Sequence, residues 1–469
     1  MRRTVERELK LVPGEAFDLA DLGDLLPSRV FQSTYHDTTD LRLARHSITL
    51  RRRTEDGTGL WQLKIPSGAA RIELEEAGGT TPPAKLTDLL VVHLRDRELA
   101  KVARMRTKRQ IVLRSGAEIV EDAVSVYDGP RVVKRFRELE IELLDGDKST
   151  LKRLERRLLK AGAEPGEFRP KLFRALDFSS DPGPPELAAD AAPGEALGHA
   201  LVAQHRQLVD HDPGTRLGMD SEDLHQMRVA TRRSRAFLRA ARDIVEPEWA
   251  ESLRTELGWL GSLLGPARDA DVLYEHLSAA LAGLEEETTA HQSPLLRALE
   301  RERSRARRSA VTALSRKRYF ALLDRLEQSG QPPLVAETDV RLADLWWDEF
   351  KRTRKAFAVL DPDSPDDELH AARIRVKRAR YSAELAAHEL GAGGERFVTA
   401  AKKLQDVLGE HQDAVVAEEW LTRFGDASPE SEQVLARLVE QERKRRRKAR
   451  RGWPDAWDRL LRRARQARR

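Results

Sequence analysis

Two hydrophobic rhythms divide the chain. Up to about residue 180, apolar and polar residues alternate in short runs, the period of strands whose side chains point to opposite faces. Beyond about residue 195, apolar positions recur every three to four residues, the period of amphipathic helices. The first rhythm predicts strands at 4–11, 29–37, 47–54, 60–65, 70–76, 106–114, 118–127 and 136–144. Helices are expected near 83–94 and 149–161, the second starting on Ser149 as N-cap and stopped by Gly162. Eight strands with few helices predict an antiparallel sheet or closed barrel. Residues 181–194, rich in Pro, Gly and Ala, read as a linker between the two regimes.

Each predicted strand has one charged and one apolar face. Glu6, Glu8 and Lys10 share a face, with Val5, Leu9 and Leu11 behind them beside Arg7. Arg51 and Arg53 oppose Leu50; Gln62 and Lys64 oppose Trp61, Leu63 and Ile65. Arg71, Glu73 and Glu75 oppose Ile72 and Leu74, and Glu138, Glu140 and Glu142 oppose Leu139, Ile141 and Leu143. An antiparallel sheet with one side in water would show the same alternation. A sheet closed with the charged faces inward would instead form a polar tunnel. Burying so much charge is costly; divalent cations for the carboxylates and an anion for the bases would offset that cost.

The helical half repeats itself. His225, Arg228, Arg232, Arg233 and Arg235 recur 145 residues later as His370, Arg373, Lys377, Arg378 and Arg380. Offsets 0, 3, 7 and 10 fall within one arc of about 80° on a helix. His225, Arg228, Arg232 and Arg235 therefore form one ridge, and His370, Arg373, Lys377 and Arg380 its twin. Leu224, Met227, Ala230, Phe237 and Leu238 are expected core on the opposite side of the first ridge helix. Leu263-Leu264-Gly265 with Asp269 matches Val407-Leu408-Gly409 with Asp413 at nearly the same separation. Four stacked like charges repel, so such a ridge is stabilised by a nearby anion. Asp269 and Asp413 are expected to hold ridge arginines or to cap helices.

Composition narrows the classes. The 469 residues carry a net charge of only +5 but are 34% charged, and the segment 442–469 is strongly basic. Zero cysteines exclude disulfides, thiol nucleophiles and thiolate metal sites. Without a run of about 18 apolar residues or a leader pattern, the expected setting is cytoplasmic, with no membrane partner. Scarce aromatics, 5% of the chain, argue against a surface for stacking single-stranded nucleic acid.

Glu6-x-Glu8-x-Lys10 is followed in order by Tyr35-His36-Asp37-Thr38, Leu50-Arg51-Arg52-Arg53, Gln62-Leu63-Lys64, Lys108-Arg109, the segment from Glu118 to Asp122, Glu138-Leu139-Glu140-Ile141-Glu142, and Lys171. This ordered set resembles the CYTH family, the triphosphate tunnel metalloenzymes, over about residues 1–180. The resemblance implies an eight-stranded antiparallel tunnel with flanking helices, an α+β domain that hydrolyses or cyclises triphosphates with Mg²⁺ or Mn²⁺. It implies that Glu6 and Glu8 ligate metal together with Asp122 and two of Glu138, Glu140 and Glu142. Lys10, Arg51, Arg53, Lys64, Arg109 and Lys171 would bind phosphate oxygens, with Lys10, Arg51 and Arg53 at the reacting group. The two ridges resemble the CHAD family, the conserved-histidine α-helical domains, over about 195–469. That resemblance implies an all-α domain of two repeated bundles, about 195–333 and 334–469, whose ridges line a groove for inorganic polyphosphate. The expectation is a triphosphatase that converts inorganic triphosphate to pyrophosphate and phosphate, carried on a polyphosphate-binding domain, with polyphosphate granules as a candidate location. Its rivals are a non-catalytic polyphosphate-binding protein and a nucleoside or thiamine triphosphatase or adenylate cyclase.

Overall fold

The computed structural model describes all residues except 7, 68–69, 145–147, 167–168, 180–185, 189, 284–293, 336–339, 428–431 and 469, and the backbone alone at 5, 6, 8, 67, 148, 426, 427 and 432. The chain divides into two compact units, Met1–Gly183 and Pro184–Arg469.

The first unit is built on one antiparallel sheet. Its strands are β1 (Arg2–Glu6), β2 (Glu8–Pro13), β3 (Arg29–Asp37), β4 (Thr49–Glu55), β5 (Thr58–Ser67), β6 (Ala70–Ala77), β7 (Ala100–Arg114), β8 (Ala117–Asp128), β9 (Arg131–Leu143) and β10 (Ala163–Pro165). They lie in the order β1-β6-β5-β4-β3-β7-β8-β9-β2-β10. β1 and β2 are consecutive halves of one N-terminal segment. The first half pairs with β6 and the second with β9, so this segment closes the sheet into a tunnel.

The sheet has ten strands where eight were expected. The sequence shows one unbroken alternation at the N-terminus, and only pairing with two different partners divides it. β10 adds three residues on β2, too few for any period to show.

The apolar faces point outward. Leu11, Val112, Ile119, Leu139 and Ile141 pack against Leu154 and Leu158 of the helix Lys148–Lys160. Each fully buried leucine of this layer contributes about 1.5–3 kcal/mol. That helix begins one residue before Ser149, which is therefore inside the first turn and not its cap. Gly162, with φ of 91°, ends the turn as expected. The predicted 83–94 helix is two single turns, Ala84–Thr87 and Val91–Leu94. One end of the inner face is apolar: Tyr35, Met105, Val124 and Val126 pack with Leu172 and Phe173 of the short helix Lys171–Leu176. That helix covers this part of the inner face.

The second unit is helical apart from an isolated bridge between Val245 and Leu334. Its described helices are Pro193–Leu217, Ser221–Ala240, Pro247–Ala282, Pro294–Leu314, Lys317–Glu327, Leu342–Phe357, Asp366–Leu385, Ala387–Ala427 and Glu432–Arg468. The two ridge helices, Ser221–Ala240 and Asp366–Leu385, pack on each other, with Phe237 edge-on to Tyr381 at 6.5 Å. Leu224, Met227, Ala230, Phe237 and Leu238 are buried behind the first ridge. Among the described residues, no helix is long and apolar enough to cross a membrane.

Candidate functional site

Alternation along the strands decides which side chains meet inside the sheet. Register sets Lys10 opposite Glu140, Arg109 opposite Asp122, and Gln62 between Arg51 and Glu75. The result is a cavity of about 590 Å³ whose described lining holds nine arginines or lysines and six carboxylates. Lys10, Arg51, Arg53, Lys64, Arg109 and Lys171 all line it, as do Glu140 and Glu142.

The basic residues are held in place before any ligand arrives. Arg51 Nε donates to Gln62 Oε1 at 2.8 Å and its Nη1 to the Tyr35 hydroxyl at 3.1 Å. Burial works against the Arg51 charge, yet Tyr35 and Glu73 outweigh it and hold its pKa above the ordinary value. Arg109 forks onto Asp122 at 2.8 and 2.7 Å. Burial opposes its charge too, and Asp122 and Glu140 overcome that. Arg53 lies 3.8 Å over the Phe31 ring and bonds Glu55 at 2.6 Å. Lys64 stands 3.8 Å from Glu73.

Beside the helix Lys171–Leu176 two ammonium groups bind two carboxylates. Lys10 Nζ lies 2.8 Å from Glu138 and 2.6 Å from Glu140, and Lys171 Nζ lies 3.0 and 2.7 Å from the same oxygens. Burial alone would push Glu140 up; Lys10, Lys171 and Arg109 hold it well below the usual carboxylate range. Burial likewise opposes the Lys171 charge, and Glu140, Glu138 and Asp122 raise its pKa well above normal. Glu138 and Asp122 are fully buried behind these bases and do not form the cavity wall.

The side chains of Glu6 and Glu8 lie outside the described residues; their backbones stand opposite Arg71 and Glu142. Among the described residues no group of three or more His, Cys, Asp or Glu is arranged to hold a metal ion. The donor chemistry nevertheless fits a hard divalent cation, because every acidic wall residue offers carboxylate oxygen, and Lys10 and Lys171 already place cations against Glu140. Sequence reasoning missed part of the wall. Arg29, Glu55, Arg71, Glu73 and Glu75 line it as well. For Arg71, Glu73 and Glu75 the signal was present, since they share the charged face of their strand. Tyr35 and Gln62 stood in the family-like segments, and Gln62 on a charged strand face, without a site role assigned to either.

In the helical unit the ridges converge. Arg232 Nε donates to the Tyr381 hydroxyl at 2.6 Å and Arg233 to Glu384 at 3.0 Å. Burial, then Arg373, Arg232, Arg228 and Arg380, push the Lys377 ammonium down to about 7. Both ridges therefore act on one spot. Arg228 reaches Asp269 at 3.3 Å. The matched glycines make room for matched arginines: a Cβ on Gly265 would meet Arg228 at 2.4 Å, and one on Gly409 would meet Arg373 at 3.2 Å. Among the described residues, Arg268 Nη1 and Arg373 Nε are buried with no hydrogen-bond acceptor. His370 bonds Gln412 at 2.7 Å. Burial and Arg268 lower the His225 pKa. Arg235 is exposed beside Gly258.

Comparison with known proteins agrees with this division. The CYTH domain family matches residues 3–174 and the CHAD domain family residues 199–422. Two strains of Mycobacterium tuberculosis carry an uncharacterized protein 33% identical over 432 residues, spanning 84% of this chain and 82% of the relative. Among solved structures, the CHAD domain of the plant Ricinus communis is 24% identical with a TM-score of 0.48, over 59% of this chain and 94% of that one. A candidate adenylyl cyclase from Hippeastrum with a dominant triphosphatase activity is 15% identical with a TM-score of 0.28, over 38% of this chain and 97% of that one. The chain thus belongs to the CYTH family of triphosphate tunnel metalloenzymes, whose members are metal-dependent triphosphatases or cyclases, and it carries a CHAD domain after the tunnel.

Proposed function

We propose that the tunnel hydrolyses inorganic triphosphate to pyrophosphate and phosphate, and that the helical unit binds inorganic polyphosphate. The observation that carries the first part is the cavity wall, where nine cations and six carboxylates converge and Tyr35 is the one aromatic among the described lining residues. The Tyr35 hydroxyl is already engaged by Arg51. A short phosphate chain suits such a wall; a nucleobase finds little to stack on.

Arg51, Arg53, Lys64 and Arg109 would grip phosphate oxygens, the arginines as two-pronged forks and the lysine as a point charge. Gln62, Tyr35 and Asp122 hold two of these forks in position, so little reorganisation is needed as charge develops. Lys10 and Lys171 keep Glu140 ionised, and a metal ion would take the place of one of these ammonium groups on its carboxylate. Mg²⁺ or Mn²⁺, held by Glu6, Glu8, Glu140 and Glu142, would neutralise phosphate charge and supply an acidified water. Asp122 and Glu138 would support that set from behind, through the bases they bind. Overall, one water adds across a terminal P–O–P bond, and pyrophosphate and phosphate leave.

The test is phosphate release from triphosphate with Mg²⁺ or Mn²⁺, set beside ATP as substrate. Arg51→Gln is expected to lower kcat by about 10²–10³-fold, the cost of one charge-stabilising donor. Wild-type activity in that variant, or faster release from ATP than from triphosphate, would reject the assignment.

For the helical unit, the convergence of both ridges on Lys377 supports a polyanion groove. His225, Arg228, Arg232, His370, Arg373, Lys377 and Arg380 would contact the chain, with Arg235 at its exposed margin. The two ridge helices and their matched glycines are read as copies of one duplicated unit.

A further inference from the structure

A second cluster of cations lies outside the ridges. Between helices Ala387–Ala427 and Glu432–Arg468 runs a groove of about 540 Å³, lined by Arg396, Lys403, Arg459, Arg462 and Arg463 against one carboxylate, Glu395. Arg459, Arg462 and Arg463 follow i, i+3, i+4 spacing, and Arg396 and Lys403 stand two turns apart, so each set forms one stripe. All five are exposed. Among the described residues none of them is ion-paired; Arg463 donates only to Gln466, at 2.8 Å.

Several other arginines of the same helix meet acids. Arg443 reaches Glu418, Arg446 and Arg450 reach Asp366, and Arg468 reaches Asp344. Acids neutralise those arginines, whereas Glu395 is the one carboxylate among the described groove residues and is ion-paired to none of the five cations. Like charges at this spacing repel, and the facing helix adds two more. Beneath them Phe397, Ala401, Trp457 and Leu460 are buried and hold the pair together. Gly393 brings the helices close, since a Cβ there would sit 3.0 Å from the Ala467 Cα. Tight packing therefore fixes the charges near one another, and a multiply charged anion would relieve them. Guanidinium forks suit phosphate. Among the described residues no aromatic side chain lines the groove, so nucleobases find no stacking platform there.

We propose that this groove is a second binding site for a linear phosphate polymer, which Arg396, Lys403, Arg459, Arg462 and Arg463 engage at consecutive phosphates. It shares its ligand class with the ridge reading but stands on different residues, so either can fail without the other.

The experiment is equilibrium binding of inorganic polyphosphate of defined length to the full chain at several salt concentrations. Arg459→Gln/Arg463→Gln is compared with Lys444→Gln/Lys448→Gln, which removes the same charge from exposed positions outside the groove, and with Arg228→Gln/Arg373→Gln in the ridges. The groove pair is expected to weaken binding at least about fivefold and to flatten the slope of log K against log salt by about 1–2, as lost phosphate contacts release fewer counterions. The Lys444/Lys448 pair should stay within about twofold on the same ground, and Arg459→Lys/Arg463→Lys should recover most of the affinity. Equal losses in the groove and control pairs, or no loss in the groove pair, would overturn the site. An oligodeoxythymidine of matched charge that competes as well as polyphosphate would overturn the ligand class. If the ridge pair abolishes binding while the groove pair does not, the groove falls and the ridge reading stands; the reverse result leaves the groove standing alone.

Discussion

Lys377 concentrates the electrostatics of the helical unit in one side chain. Burial, with Arg373 and Arg380 on its own helix and Arg232 and Arg228 on the facing one, brings its ammonium to about 7. It is therefore mostly charged at pH 6 and mostly neutral at pH 8. A polyanion laid on the ridges would draw its pKa back up, so binding above pH 7 must take up a proton. Affinity for polyphosphate should accordingly fall between pH 6 and 8, by up to about tenfold for one proton coupled over one pH unit. Lys377→Arg, which stays charged throughout, should flatten that profile. Titration calorimetry in two buffers of different ionisation enthalpy checks the proton directly; identical heats above pH 7 would contradict the coupling. Stability follows the same sign rule. The folded pKa lies below the unfolded value, so the unfolded chain binds more protons between about pH 7 and 10 and stability rises with pH there.

Among elements, the turn after β3 shows a motif residue serving structure. Asp37 is fully buried and accepts from the Thr38 and Leu43 amides at 2.7 and 2.9 Å and from the Ala44 amide at 2.9 Å. Asp37→Ala would leave three amides without that acceptor and should cost about 2–4 kcal/mol of stability, with Asp37→Asn costing less. Urea unfolding checks this, and an unchanged midpoint would contradict it. Strand faces were legible because alternation is local: Leu63, Leu74, Leu139 and Ile141 are buried, as their positions in the pattern require. Pairing over distance was not legible. Nothing in the run from Thr4 to Leu11 says that its first half meets β6 and its second β9. Asp122 and Glu138 carry the charge of ligands, but only three-dimensional placement shows Arg109, Lys10 and Lys171 seated on them. The convergence of the ridges was expected only from the family resemblance, because periodicity on each helix cannot reveal which face its twin presents.

Across the whole molecule, the proposed function has the two units divide the handling of one chemistry, and this makes their independence measurable. Triphosphate is short enough for the tunnel wall alone to bind, so ridge substitutions should not touch its turnover. Arg228→Gln/Arg373→Gln is expected to keep kcat and KM for triphosphate within about twofold, since neither residue lines the tunnel cavity. A long chain is a different substrate, because residues held on the helical unit raise the local concentration of the remainder of the same polymer. The same variant should therefore raise the apparent KM for long polyphosphate by about tenfold or more while sparing kcat, and it should remove most of the salt dependence of that KM. A fall in triphosphate kcat would show that the ridges set the state of the tunnel and do not merely hold polymer. An unchanged KM for long chains would show that polymer bound by the helical unit is not passed to the tunnel at all. Steady-state kinetics on both substrates, at low and high salt, separates these outcomes, since only tethering predicts a change confined to KM, to long chains and to low salt.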